Sequence, residues 1–128
     1  MKYLAIHDVI YINQEVIQAS GGLLGVRDLG LIDSAINRPR ATFEGIDLYV
    51  TLFEKAAALF HSIIFNHAFL DGNKRTAVAS AALTLYINGF ELLTSNEKLE
   101  LFTVSIVERK MDIAEIAQWL EKNSTKIP

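Results

Sequence analysis

Cysteine is absent from the 128 residues, and with it go disulfides, thiolate metal sites and a cysteine nucleophile. The absence suits a reducing compartment, so a cytoplasmic location is the expectation. Proline is nearly absent too: only Pro39 and Pro128 occur, which leaves most of the chain free to be helical. No long apolar run exists, the longest being Ala56 to Phe60, far short of the roughly 20 residues of a membrane-spanning helix. The Met1-Lys2 start lacks an apolar stretch and a small-residue cleavage site, so no secretory signal is read there. Positive charge is also scarce. Twelve Lys and Arg against fifteen Asp and Glu leave a net charge of −3, which offers no broad footprint for nucleic acid or an anionic membrane.

What the chain does have is apolar substance, at 51% of residues, enough for a real core in one domain spanning 1–128. Helical spacing dominates and predicts an all-α bundle. Ile6, Val9, Ile10, Val16 and Ile17 share one helical face, with Gly21-Gly22 as the stop, although Tyr3 to Ile6 reads equally as a short strand. A glycine-rich loop runs to Gly30, and Leu31 to Asn37 reads as a short helix closed by Pro39. Between Leu48 and Phe65 the apolar residues follow the i, i+3, i+4, i+7 template of a core helix. A second core helix is expected from about Asn73 to Asn88, where alanines and a serine permit close approach. Ser95 or Asn96 caps a helix through about Glu108, and Asp112 with Glu115 forms a capping box for a last one. Trp119 and the Phe residues read as core, His7 and His61 as structural.

The polar stretch Asn66-His67-Ala68-Phe69-Leu70-Asp71-Gly72-Asn73-Lys74-Arg75-Thr76 lies between the two core helices. Gly72 and Asn73 tolerate left-handed conformations, so their backbone amides suit an anion-binding nest at a helix N-terminus. Lys74 and Arg75 oppose the helix dipole on that first turn, an oddity that an anionic ligand resolves. Asp71 offers a hard oxygen for Mg²⁺ shared with phosphate, and His67 is the only nearby general base. Base, metal carboxylate, anion nest and two cations are what phosphoryl or nucleotidyl transfer needs. The loop is not a Walker A, since no glycine lies just upstream of Lys74.

The run His67 to Arg75 closely resembles the signature H-x-F-x-[D/N]-[G/A]-N-K-R of the death-on-curing (Doc) toxins of the Fic superfamily. Gly21-Gly22, Gly25-Val-Arg-Asp28, the stretch Leu31 to Pro39 and Tyr86-Ile-Asn-Gly89 look like that family too, so most of the chain is covered in order. The resemblance implies a Fic/Doc-type all-α fold of about six helices whose active-site loop joins two central helices. By it, His67 is the base acting on a target hydroxyl, Asp71 holds Mg²⁺, the Gly72-Asn73 backbone cradles phosphates of ATP, and Lys74 and Arg75 contact them. Phe69 is expected to point into the core and hold the loop.

The adenylylating Fic pattern H-x-F-x-[D/E]-G-N-G-R-x-x-R differs at two places, where this chain has Lys74 and Val78. Both changes are those of Doc toxins, which imply transfer of the γ-phosphate to a threonine of elongation factor Tu and arrest of translation. Adenylylation of a protein hydroxyl is the alternative, and a catalytically inactive fold that binds an antitoxin is another. The inhibitory helix motif [S/T]-x-x-x-E-[G/N] of self-restrained Fic proteins is absent, because Glu44-Gly45 is preceded by Arg40. Restraint is therefore expected in trans, from an antitoxin of the prevents-host-death type. Arg27, Asp28, Arg38 and Arg40 are explained as well by turns and a helix end, and stay outside the predicted site.

Overall fold

Helix α3, Leu52–Asn66, is the centre of the fold, because Ala56, Ala57, Ala58 and Phe60 are fully buried on successive sides of it. A helix apolar all round must be covered all round. In the computed structural model, which describes residues 1–128, α4 (Asn73–Ile87) and α6 (Ile113–Lys122) supply the largest covering surfaces. Small residues at the α4 interface, Thr76, Ala77, Ser80, Ala81 and Thr84, are buried and permit the close approach. Helices α1 (Ile6–Ser20) and α2 (Leu29–Asn37) complete the bundle on the sides of α4 and α3. Helix α5, Asn96–Glu108, is anchored mainly by Phe102, stacked on Trp119 at 3.8 Å between ring centroids and edge-on to Phe60 at 6.0 Å.

Local chemistry sets the helix ends. Thr51, Ser95 and Asp112 each accept the amide three residues on, and Glu115 returns a bond to the Asp112 amide, completing the expected capping box. Asp28 caps α2 by accepting from Leu31, so that helix starts two residues before the predicted Leu31. The Thr51 cap likewise delays α3 to Leu52 from the predicted Leu48, and Tyr3 to Ala5 form no strand. Strands occur only as short pairs, β1 (Thr42–Phe43) with β2 (Ile46–Asp47) and β3 (Phe90–Leu92) with β4 (Ser124–Lys126). Phe43, expected in the core, sits exposed on the first of these hairpins. Buried Lys55 ties that hairpin to α3 through Asp47 at 3.2 Å and the Pro39 carbonyl at 3.3 Å. No helix is long and apolar enough to cross a membrane.

His61, on α3, has the structural role expected of it. Arg38 Nη1 lies 3.1 Å from its Nδ1 and 3.0 Å from Ser62 Oγ, while Arg38 Nε reaches the Tyr49 hydroxyl at 3.3 Å. A guanidinium only donates, so His61 Nδ1 must accept, which requires the neutral imidazole protonated at Nε2. Burial, and then the Arg38 charge, lowers the His61 pKa from 6.5 against the smaller opposing pull of Asp112. Below that ordinary value the unfolded chain binds more protons than the folded one, so stability falls as pH drops. Urea midpoints are expected to decline from about pH 7 to about pH 5, and less steeply in His61→Gln. Parallel declines in the two chains would remove His61 as the cause.

Candidate active site

Helix α3 ends at His67, which takes the left-handed conformation (φ 51°, ψ 48°) usual for glycine at such a cap. The reversal leads the chain away from the helix axis and leaves the imidazole exposed, with no hydrogen bond to the rest of the molecule. Ala68 and Phe69 then turn back into the core at 3% and 2% exposure, so Phe69 anchors the loop as its position suggested. Asn73 fixes the far side: its Nδ2 donates to the Phe69 carbonyl at 3.0 Å, and its Oδ1 accepts the Phe69 amide at 3.1 Å. Histidine and the start of α4 are thereby held at the two ends of one short loop.

Gly72 (φ 74°) opens α4 without a side-chain cap, and the first amide with a helical acceptor is that of Thr76. The amides of Asn73, Lys74 and Arg75 remain free at the positive end of the helix. Of the expected phosphate donors, Gly72 is the exception, since its amide already donates to Asp71 Oδ1 at 3.0 Å. The Asn73 side chain is committed to Phe69, which leaves its backbone amide for a ligand. Lys74 and Arg75 are exposed, and neither has a carboxylate within ion-pair distance.

Asp71 is held more firmly than its exposed position suggests. Its Oδ2 accepts the Leu23 amide at 3.2 Å, and its carbonyl accepts Asn13 Nδ2 at 2.9 Å. Asn13, on α1 and only 2% exposed, also reaches Thr76 Oγ1 at 3.1 Å, joining α1, the loop and α4. No group of three or more His, Asp or Glu side chains gathers here as a metal cage. Asp71 is the single hard ligand, so a cation bound there draws its other oxygens from ligand and water.

The segment Gly22–Asp28 runs antiparallel to this loop. Val26 bridges Phe69, the Leu70 amide donates to the Gly25 carbonyl at 3.0 Å, and the Arg27 and Asp28 amides donate to the Ala68 carbonyl at 2.8 and 3.0 Å. Arg27 adds its side chain to the same edge, with Nε 2.6 Å from the His67 carbonyl and Nη2 3.0 Å from that of Asn66. Sequence reasoning left Arg27 outside the site and missed Asn13, Gly22 and Leu23. Asn13 carried a readable signal, because it interrupts the apolar face of α1 one turn after Val9 and one before Ile17.

Likeness to known proteins agrees with this architecture. The profile of the Fic/DOC family matches residues 3–85, which include α1 to α3, the loop and nearly all of α4. The chain belongs to the Fic/DOC family. It is 32% identical over 124 residues to "Protein kinase doc" of Escherichia phage P1, covering 95% of each chain. It is 57% identical over 74 residues to "Toxin Doc" of Mycolicibacterium smegmatis (strain ATCC 700084 / mc(2)155), covering 58% of this chain and 57% of that protein. The family's six-helix, all-α architecture is the one seen here, with the loop His67–Gly72 between its two central helices. A concavity of this Fic/DOC chain lies elsewhere, between Tyr49, Phe53, Met111 and Trp119 at the N-terminal end of α3, about 20 Å of helix from His67.

Proposed function

We propose that this chain is the toxin of a bacterial toxin–antitoxin pair, and that it transfers the γ-phosphate of ATP to a hydroxyl of a translation factor. The names of two relatives, a toxin and a protein kinase, support the class. One observation carries the chemistry: an unencumbered imidazole and an uncapped helix start bearing two unpaired cations are locked to the same short loop. A polyphosphate fits that helix start, because three free amides lie there and the first turn carries two exposed cations. Asp71 and the phosphate oxygens together fit Mg²⁺, whose chemistry there is neutralisation of charge on the transferring group.

The residues divide the work. The α4 amides with Lys74 and Arg75 bind and orient the phosphates, Asp71 fixes the metal side, and His67 accepts the proton of the attacking hydroxyl. As the hydroxyl oxygen bonds to the γ-phosphorus, the bond from that phosphorus to the β–γ bridging oxygen breaks and ADP leaves. His67 then returns its proton to solvent. Phosphorylation is favoured over adenylylation by Lys74 and by Val78, a half-buried apolar residue packed against the core where the adenylylating pattern has its last arginine. The substrate we propose is a threonine of elongation factor Tu, and the restraint an antitoxin of the prevents-host-death type acting in trans.

The test is label transfer from ATP, labelled at the γ or the α phosphate, to purified elongation factor Tu and to a bacterial lysate, with His67→Ala as control. The γ label alone is expected on protein. Transfer of the α label alone makes the chain an adenylyltransferase, and transfer of neither leaves a binding module.

A further inference from the structure

The residue that bears the imidazole has a positive φ, a conformation uncommon outside glycine that contacts with the rest of the fold must hold in place. The loop around it supplies those surroundings from a segment 40 residues away in sequence. Arg27 grips three successive carbonyls, those of Asn66 and His67 through its guanidinium and that of Ala68 through its own amide. The carbonyls of Asn66 and His67 lie at the end of α3, where they have no intrahelical partners, and a cation is favourable beside them. The Asn66 carbonyl belongs to the peptide that adjoins φ of residue 67 and the His67 carbonyl to the one that adjoins its ψ, so the guanidinium, at 3.0 and 2.6 Å, holds the peptides on both sides of the His67 Cα. Arg27 has no carboxylate within ion-pair distance, so its charge is committed to these carbonyls. A lysine cannot replace this grip, because two carbonyls at a fixed spacing need a planar fork.

We infer that Arg27 is a positioning residue for the reaction, holding His67 in the left-handed conformation that turns its imidazole toward the incoming hydroxyl. The inference rests on the reading of His67 as the base. It makes no contact with the phosphate end of the site, where the α4 amides, Lys74 and Arg75 are independent of Arg27. Its signature is therefore a loss in kcat with nucleotide affinity preserved.

The experiment compares the full-length chain with Arg27→Ala and Arg27→Lys. In Arg27→Ala, kcat is expected to fall by about tenfold to a hundredfold, the cost of a base displaced by about 1 Å, while the Kd for ATP stays within about twofold. Added guanidinium should restore part of the lost rate, because the emptied position is open to solvent. NMR couplings or a crystal structure should show residue 67 leaving positive φ in Arg27→Ala and populating both conformations in Arg27→Lys. If Arg27→Ala does not fold, Arg27→Lys alone decides by the same readings. Wild-type kcat, or a His67 that keeps its positive φ without the guanidinium, overturns the role of Arg27. A wild-type chain that transfers nothing overturns instead the reading of His67 as base, and the backbone measurement still shows whether Arg27 holds residue 67.

Discussion

Replacing His67 by Ala is expected to lower kcat for transfer by about 10²- to 10⁴-fold, the usual contribution of a positioned general base. The Kd for ATP should change by less than about threefold, because a base acts on the hydroxyl in the transition state and contributes little to ground-state affinity for the nucleotide. The geometry supports such a clean separation. The imidazole is exposed and bonded to nothing in the chain, so removing it opens no cavity and strands no buried partner. The backbone at residue 67 must still tolerate φ 51°, which alanine accepts less readily than histidine. His67→Asn is the better-behaved companion, since asparagine favours that conformation but offers no basic nitrogen. Rate loss in both variants, with thermal midpoints near wild type, assigns the effect to the base. Transfer near the wild-type rate in His67→Asn would remove His67 from the chemistry.

The parts of this fold that were legible in the sequence are those governed by neighbours. Caps act over three residues, so the Asp112–Glu115 box could be placed to the residue and the α5 cap narrowed to Ser95 or Asn96, of which the fold uses Ser95. The α3 and α4 periodicities marked the two central helices, and the loop between them stood out as polar sequence inside the best core. The supports of that loop were not legible, for a physical reason. Arg27, the Leu23 amide and the Gly25 carbonyl act across roughly 40 to 50 residues, each through at least one backbone atom that every residue type carries. No side-chain pattern encodes such a partner. The strands fell below detection because pairs of two or three residues are too short for a period-2 signal. Phe43 shows the complementary error, an aromatic counted as core by type while its hairpin leaves it in solvent.

Gly22 carries the other large effect. It sits at φ +117°, and a Cβ there would lie 2.7 Å from Asp71 Oδ2 and 3.1 Å from its Cγ. Gly22→Ala therefore imposes two separate costs, backbone strain and a collision with the carboxylate. Gly21→Ala isolates the first, because Gly21 has φ +80° with nothing within 4 Å of its Cβ position. Both variants should lose stability by roughly 1–2 kcal/mol from strain. Only Gly22→Ala should damage the site. The fold can absorb the collision by swinging the flexible Asp71 side chain aside, but that breaks its bond from the Leu23 amide and moves the oxygens from where they are held. We expect kcat/KM with Mg²⁺ and ATP to fall by about tenfold to a hundredfold in Gly22→Ala, approaching Asp71→Ala, while Gly21→Ala stays near wild type. The Mg²⁺ dependence of ATP binding, measured by calorimetry, should weaken in Gly22→Ala alone. Equal activity and equal Mg²⁺ dependence in the two glycine variants would show that Gly22 does not set the position of the carboxylate. A loss confined to Gly22→Ala would make the missing side chain at residue 22 part of the site, as space kept open for Asp71.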